Sequence, residues 1–266
     1  RDLEGVYETP AIDDETLYFG AYDGAVYAVN RSDGACKWRF ETGDPIVGGV
    51  VFGTEGLYVP SEDGFVYLLN PEDGTEIAKF AAGEVWSTPL VLKDAVYVAT
   101  MEGKLWKLSP DKLEPIWNQP FSVDAALLTA PTLVDPSTIL VGGIGKRLYA
   151  VDTGDGAEKW SVSGKNWFWG PPTVDGTTVY ATNLGGEVKA IASPNWPSIR
   201  MFNSTSRFSS GSIRKRLNGS PPLKIITTNV TTIPTIIRSG SGLPRLRATG
   251  GACAVTSPPP WSCGPA

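Results

Sequence analysis

Asp23-Gly24-Ala25-Val26-Tyr27-Ala28-Val29-Asn30 is answered by Asp63-Gly64-Phe65-Val66-Tyr67-Leu68-Leu69-Asn70 and by Glu102-Gly103-Lys104-Leu105-Trp106-Lys107-Leu108-Ser109. Two looser copies follow, Gly145-Lys146-Arg147-Leu148-Tyr149-Ala150-Val151-Asp152 and Gly186-Glu187-Val188-Lys189-Ala190-Ile191. Gly24, Gly64, Gly103, Gly145 and Gly186 are spaced by 40, 39, 42 and 41 residues, so the chain carries a repeat of nearly constant length.

After each phrase comes a turn and then an aromatic: Asp33-Gly34 to Trp38, Asp73-Gly74 to Phe80, Pro115 to Trp117, and Asp155-Gly156 to Trp160. Before the phrase lies a short strand-like pair, as in Pro89-Leu90-Val91 with Val96-Tyr97-Val98. One period therefore holds four short apolar or alternating runs joined by Asp-Gly-type dipeptides, which suit tight hairpins because their central residues can take positive φ. No stretch of ten residues shows helical periodicity, which argues against a helical solenoid. A four-stranded meander repeating at about 40 residues is the pattern of a β-propeller blade. The predicted fold is all-β, a propeller of four-stranded antiparallel blades with about five repeats present and the ring incomplete. A lone small sheet cannot bury both faces, whereas stacked blades cover each other. Trp38, Phe80, Trp117 and Trp160 are expected to pack as structural aromatics on the outer strands.

The whole chain has 266 residues, 23 Lys+Arg, 28 Asp+Glu, a net charge of −5, three cysteines and no histidine. The missing histidine excludes Ser-His-Asp and Cys-His nucleophiles, HExxH zinc sites and His-ligated haem. No apolar run approaches the roughly 18 residues of a membrane span. The average charge conceals two unlike parts. Residues 1–192 hold 14 basic and 28 acidic side chains, a net −14, while residues 193–266 hold 9 basic and no acidic ones. The domain reading is 1–192 for the propeller repeats and 193–266 for a basic, low-complexity tail with 12 Ser, 10 Pro and no Tyr. Copy five reaches Ile191-Ala192-Ser193-Pro194 where its last strand should begin, so the change falls inside a repeat. Total loss of acidic residues there is the pattern of translation in a shifted frame. A disordered tail that binds anionic surfaces, or a stalk glycosylated at Asn203, Asn218 and Asn229, are the other readings.

The phrase Ser87-Thr88-Pro89 through Val98, the phrase Asp23 through Asn30, and Gly154-Asp155-Gly156-Ala157-Glu158-Lys159-Trp160 resemble the repeat of the PQQ-like, or quinoprotein-like, β-propeller family, in its BamB-like form. The resemblance covers about residues 5–192. It implies a non-catalytic interaction scaffold in the cell envelope, with a protein or peptide partner, possible partners being envelope assembly proteins, and an extracytoplasmic (periplasmic or cell-surface) location. The alternative it implies is a fragment of a PQQ-dependent dehydrogenase, with PQQ and calcium. Catalytic relatives use adjacent cysteines, but here Cys36 stands alone and Cys253 and Cys263 are ten residues apart. Acidic residues such as Asp33 and Asp73 fall in turns, where they satisfy backbone groups. No catalytic residue, no metal ligand and no cofactor is therefore assigned.

The position three residues before the opening proline of each blade is informative for binding. Aligning Pro10, Val50, Pro89, Pro131 and Pro172 gives Tyr7, Val47, Trp86, Leu128 and Trp169. First strands line the axis of a propeller, so these residues are expected to ring one mouth of the channel. Tyr7, Trp86 and Trp169 there, extended by Asn166, Trp167 and Phe168, make a funnel on which a peptide, sugar or planar ligand could sit, or a plug that excludes water. A net −14 over the repeats disfavours nucleic acid. Gly143-Ile144-Gly145-Lys146 lacks the spacing of a phosphate loop and reads as a hairpin turn.

Overall fold

In the computed structural model, residues 5–192 and 198–202 are described, the last five and Ala192 by their backbone alone. Five four-stranded antiparallel sheets follow in chain order, each built from consecutive strands. Blade one comprises β1 (Ala11–Ile12), β2 (Thr16–Gly20), β3 (Ala25–Asn30) and β4 (Cys36–Glu41). Blade two comprises β5 (Val51–Phe52), β6 (Leu57–Pro60), β7 (Phe65–Leu69) and β8 (Glu76–Ala81). Blade three comprises β9 (Leu90–Val91), β10 (Val96–Ala99), β11 (Lys104–Leu108) and β12 (Phe121–Ser122). Blade four comprises β13 (Thr132–Asp135), β14 (Thr138–Gly142), β15 (Arg147–Asp152) and β16 (Glu158–Ser163), and blade five β17 (Thr173–Asp175), β18 (Thr178–Thr182), β19 (Val188–Ala192) and β20 (Ser198–Phe202). These are the meanders of propeller blades, and the described residues contain no helix. β20 pairs with β19 from Val188↔Phe202 to Ala192↔Ser198, so the fifth sheet takes its last strand from beyond residue 192. The expectations of disorder, glycosylation or a shifted frame for the rest of the tail lie outside the described residues.

Second strands show why the sheets stack. β6, β10 and β14 are buried along their whole length, which requires cover on both faces. The apolar clusters cross from blade to blade. Tyr18, Val26 and Trp38 of blade one pack with Leu57, Val59 and Tyr67 of blade two, and similar clusters join blades two and three, three and four, and four and five. Edge-to-face ring pairs recur at the same register: Phe40–Tyr67 at 5.4 Å, Phe80–Trp106 at 5.0 Å and Phe121–Tyr149 at 5.5 Å.

In blades two, three and four the turn between the third and fourth strands docks the blade on its predecessor. Trp38 Nε1 donates to Pro71 O (2.9 Å) and Tyr18 OH donates to the same carbonyl (3.2 Å). Trp117 Nε1 donates to Thr153 O (3.1 Å), and Tyr58 OH to Pro110 O (2.8 Å). Trp38 and Trp117 are buried, and Trp160 is part-buried beside the cluster of blades four and five.

Register corrects three details of the sequence reading. Ala28 pairs with Trp38 and Ala150 with Trp160, but Leu68 pairs with Ala78, while Phe80 pairs with Val66 as Phe40 does with Val26. Phe80 is thus the counterpart of Phe40 rather than of Trp38. Trp117 precedes β12 instead of lying on an outer strand. The hairpin position of Gly24 (φ 80°) is held in blade four by Lys146 (φ 58°), not by Gly145.

Candidate functional site

The segment leading into each blade is held by a hairpin of its own blade and, in blades two to five, by a hairpin of the preceding blade as well. In its own blade the second-to-third-strand hairpin donates to it: Tyr22 N to Gly5 O, Glu62 N to Pro45 O, Met101 N to Glu84 O, Ile144 N to Ala126 O and Leu184 N to Trp167 O, all within 2.8–3.1 Å. The next residue donates to the hairpin of the preceding blade: Ile46 N to Ala21 O, Val85 N to Ser61 O, Leu127 N to Thr100 O and Phe168 N to Gly143 O. Neighbouring segments also touch, with Gly49 N donating to Thr88 Oγ1 at 2.9 Å. Ile46, Val85, Leu127 and Phe168 are consequently buried, and the residue after each lies at the hairpin end of its blade.

That next residue is Tyr7, Val47, Trp86, Leu128 or Trp169, the set expected from the proline alignment. Tyr7 is 55% exposed and Trp169 44%, and Trp167, at the register of Pro45 and Glu84, is 39% exposed. Trp86 is half-buried, its Nε1 donating to Glu84 Oε1 at 2.8 Å. Val47 is buried. Phe168, expected to extend the aromatic patch, turns into the core between blades four and five, because its amide is held by Gly143. Two apolar residues not singled out from sequence share this end, Tyr22, edge-on to Tyr7 at 6.4 Å, and exposed Leu184. Both lie two residues before the hairpin position of Gly24 and Gly186, which was a readable signal.

Carboxylates accompany the aromatics at blades two and three. Burial pushes the Glu62 carboxyl above its ordinary value, and the nearby charges of Glu84 and Asp44 push it further. Burial also raises Glu102, but hydrogen bonds from the Glu84 amide and Thr100, with Lys104 nearby, hold it below the usual value. In blade five, Asn183 Nδ2 and the Lys165 amide each donate to Glu187 Oε2 at 2.7 Å and lower its pKa against the effect of burial. Glu187 also lies 3.8 Å from the buried Lys189 ammonium. At the opposite end of blades one and two, a cleft of about 340 Å³ is lined by Asp13, Glu15, Thr16, Lys37 and Glu72, among others.

A model of the family described as outer membrane protein assembly factor BamB matches residues 22–134 and 116–195. The chain belongs to this BamB-type family of PQQ-like repeats. The crystal structure of BamB from Moraxella catarrhalis superposes with a TM-score of 0.59 at 21% identity, over 69% of this chain and 60% of that one. A crystal structure of the computationally designed Ika8 protein superposes with a TM-score of 0.61 at 15% identity, over 68% of this chain and 56% of that one. The chain thus spans three-fifths or less of the solved structures it resembles, and at such identities the likeness shows the fold alone. No curated protein sequence matches.

Among the described residues no three carboxylates or thiols converge as metal ligands, and the sequence has no adjacent cysteines. Cys36, read from sequence as standing alone, is disulfide-bonded.

Proposed function

We propose that this chain is a non-catalytic scaffold which holds a protein or peptide partner against the hairpin end of its blades, with Tyr7, Trp86, Trp167 and Trp169 as the contact residues. The observation that supports it is a contrast in exposure. Elsewhere in blades one to four, large aromatics such as Trp38, Tyr58, Tyr97 and Trp117 are buried in the stack, whereas Tyr7, Trp167 and Trp169 stand exposed on the lead-in segments. Rigid aromatic surface presented at low entropic cost is what a binding patch requires. Family membership supports a place in the cell envelope, outside the cytoplasm, and partners among envelope assembly proteins. Among the described residues no helix is long and apolar enough to cross a membrane.

The test is affinity capture from an envelope extract with the wild-type protein and with a Trp86→Ala/Trp169→Ala variant whose thermal unfolding is unchanged. Proteins retained by the first and lost by the second support the reading. An identical retained set sinks it.

A further inference from the structure

At the hairpin end of blades two and three, carboxylates stand where the fold does not require them. The lead-in segments 42–49, 82–88 and 123–130 and the hairpins 61–64 and 100–103 carry Asp44, Glu62, Asp63, Glu84, Glu102 and Asp124, and no Lys or Arg. Asp63 and Glu102 anchor backbone. Asp63 accepts from Gly43 N and from Tyr67 OH, both at 2.7 Å, and Glu102 from the Glu84 amide at 3.0 Å. Glu62 has no such role. Its carboxylate makes no hydrogen bond or ion pair with a described residue, yet it is half-buried and faces the charges of Glu84 and Asp44. Burial and like charge both oppose its ionisation, so the arrangement lowers folding stability. Glu84 Oε1 accepts from Trp86 Nε1 at 2.8 Å, which fixes the indole beside these carboxylates. An aromatic face next to carboxylates that no cation neutralises attracts an organic cation by its π quadrupole and by charge together.

We propose that the partner reaches this end with a basic peptide segment, one arginine of which lies on the Trp86 indole and pairs with the Glu84 and Glu62 carboxylates. The inference rests on the proposed function, which has Trp86 among its contact residues, and adds the chemistry of the partner. Two observations favour this occupant. The surface around Trp86 is of one sign, which selects a partner of the other and repels an acidic one. The indole and the carboxylate are joined by a hydrogen bond, so a planar guanidinium can stack on the first while it pairs with the second, a fit that a lysine ammonium lacks. An arriving cation also removes the repulsion between Glu62 and Glu84.

Isothermal titration of the whole protein with a peptide of alternating arginine and glycine tests it, with the lysine and glutamate counterparts as comparison. The expected result is saturable binding of the arginine peptide with a dissociation constant below about 1 mM, at least about tenfold weaker in Glu62→Gln/Glu84→Gln and in Trp86→Ala. Glutamine still accepts the indole hydrogen bond, so the ring stays placed, and thermal unfolding checks that both variants are folded. Absence of saturable binding overturns the proposal. So does binding that the folded Glu62→Gln/Glu84→Gln variant leaves unchanged, or a lysine or glutamate peptide bound as tightly. The proposed function fails separately. If Glu62→Gln/Glu84→Gln retains every envelope protein that Trp86→Ala/Trp169→Ala loses, the scaffold stands and the basic segment falls; if the aromatic variant loses none, both fall.

Discussion

Between blades one and two the Trp38 indole lies over Gly74, and a Cβ added to that glycine would stand 2.6 Å from the ring. Between blades two and three the register-equivalent pair is Ala78 and Leu113. Leu113 N donates to Ser109 O as Gly74 N does to Asn70 O, and Leu113 is fully buried in the cluster that Ala78 borders. The large side chain has changed sides. Where the indole reaches across, the turn must be glycine for room as well as for its φ of 75°. Where the outer strand offers only alanine, the turn supplies the missing volume itself, in a left-handed backbone (φ 57°) that leucine disfavours. A left-handed residue costs about 1–2 kcal/mol, whereas burying a leucine side chain gains about 1.5–3 kcal/mol, so filling the hole wins. The interface conserves volume rather than residue type.

The most damaging way to break the first arrangement is to empty it. Trp38→Ala removes a buried indole and its hydrogen bond to Pro71 while leaving a glycine that cannot fill the space. A loss of about 3–5 kcal/mol is expected, read from urea unfolding. Ala78, at the same register, shows that the second interface already tolerates the small residue, provided the turn is large. If Trp38→Ala cost under about 1 kcal/mol, the docking role given to the indole would be wrong.

A sharper test transplants the first solution into the second interface. Ala78→Trp alone should be destabilising by about 1–3 kcal/mol through overpacking on Leu113. Leu113→Gly alone should also be destabilising, since it leaves a cavity beside Ala78. Combined, they recreate the Trp-over-Gly pair and should recover much of the loss, with a coupling of about 0.5–3 kcal/mol in a double-mutant cycle. Strict additivity of the two losses would show that the positions do not share a volume.

This exchange explains what could and could not be seen in the sequence. The strand meander was legible because the Asp23–Asn30 phrase recurs with its hairpin chemistry intact, and the lead-in set was legible because four of its five blades open on proline. The partner of the outer turn was not, because a search for aromatics selects Phe80. Its offset from Gly74 is six residues, whereas Trp38, Trp117 and Trp160 stand four after Gly34, Leu113 and Gly156. Counting offsets would have pointed to Ala78. The inner ring pairs were missed for a different reason. Tyr67, Trp106 and Tyr149 recur visibly in the third strand, but their partners Phe40, Phe80 and Phe121 become aligned only when blades stack. At the candidate site, the alternation of exposed Trp167 and Trp169 with buried Phe168 depends on a hydrogen bond between blades, which no local pattern encodes.

Lys146 carries the comparison to its smallest effect. It is the other non-glycine with positive φ among the described residues, and it too replaces the glycine of the repeat. Unlike Leu113, its side chain is exposed at the hairpin tip, so no burial offsets the left-handed backbone. Lys146→Gly is therefore expected to stabilise the protein by up to about 1 kcal/mol, where Leu113→Gly at a nearly identical φ destabilises it. The gain is limited because glycine gives the unfolded chain more freedom to lose. Matched thermal unfolding of the two variants checks the sign. A loss of stability in Lys146→Gly would mean that the lysine makes an interaction worth more than the strain, and would remove burial as the reason for the difference between the two sites.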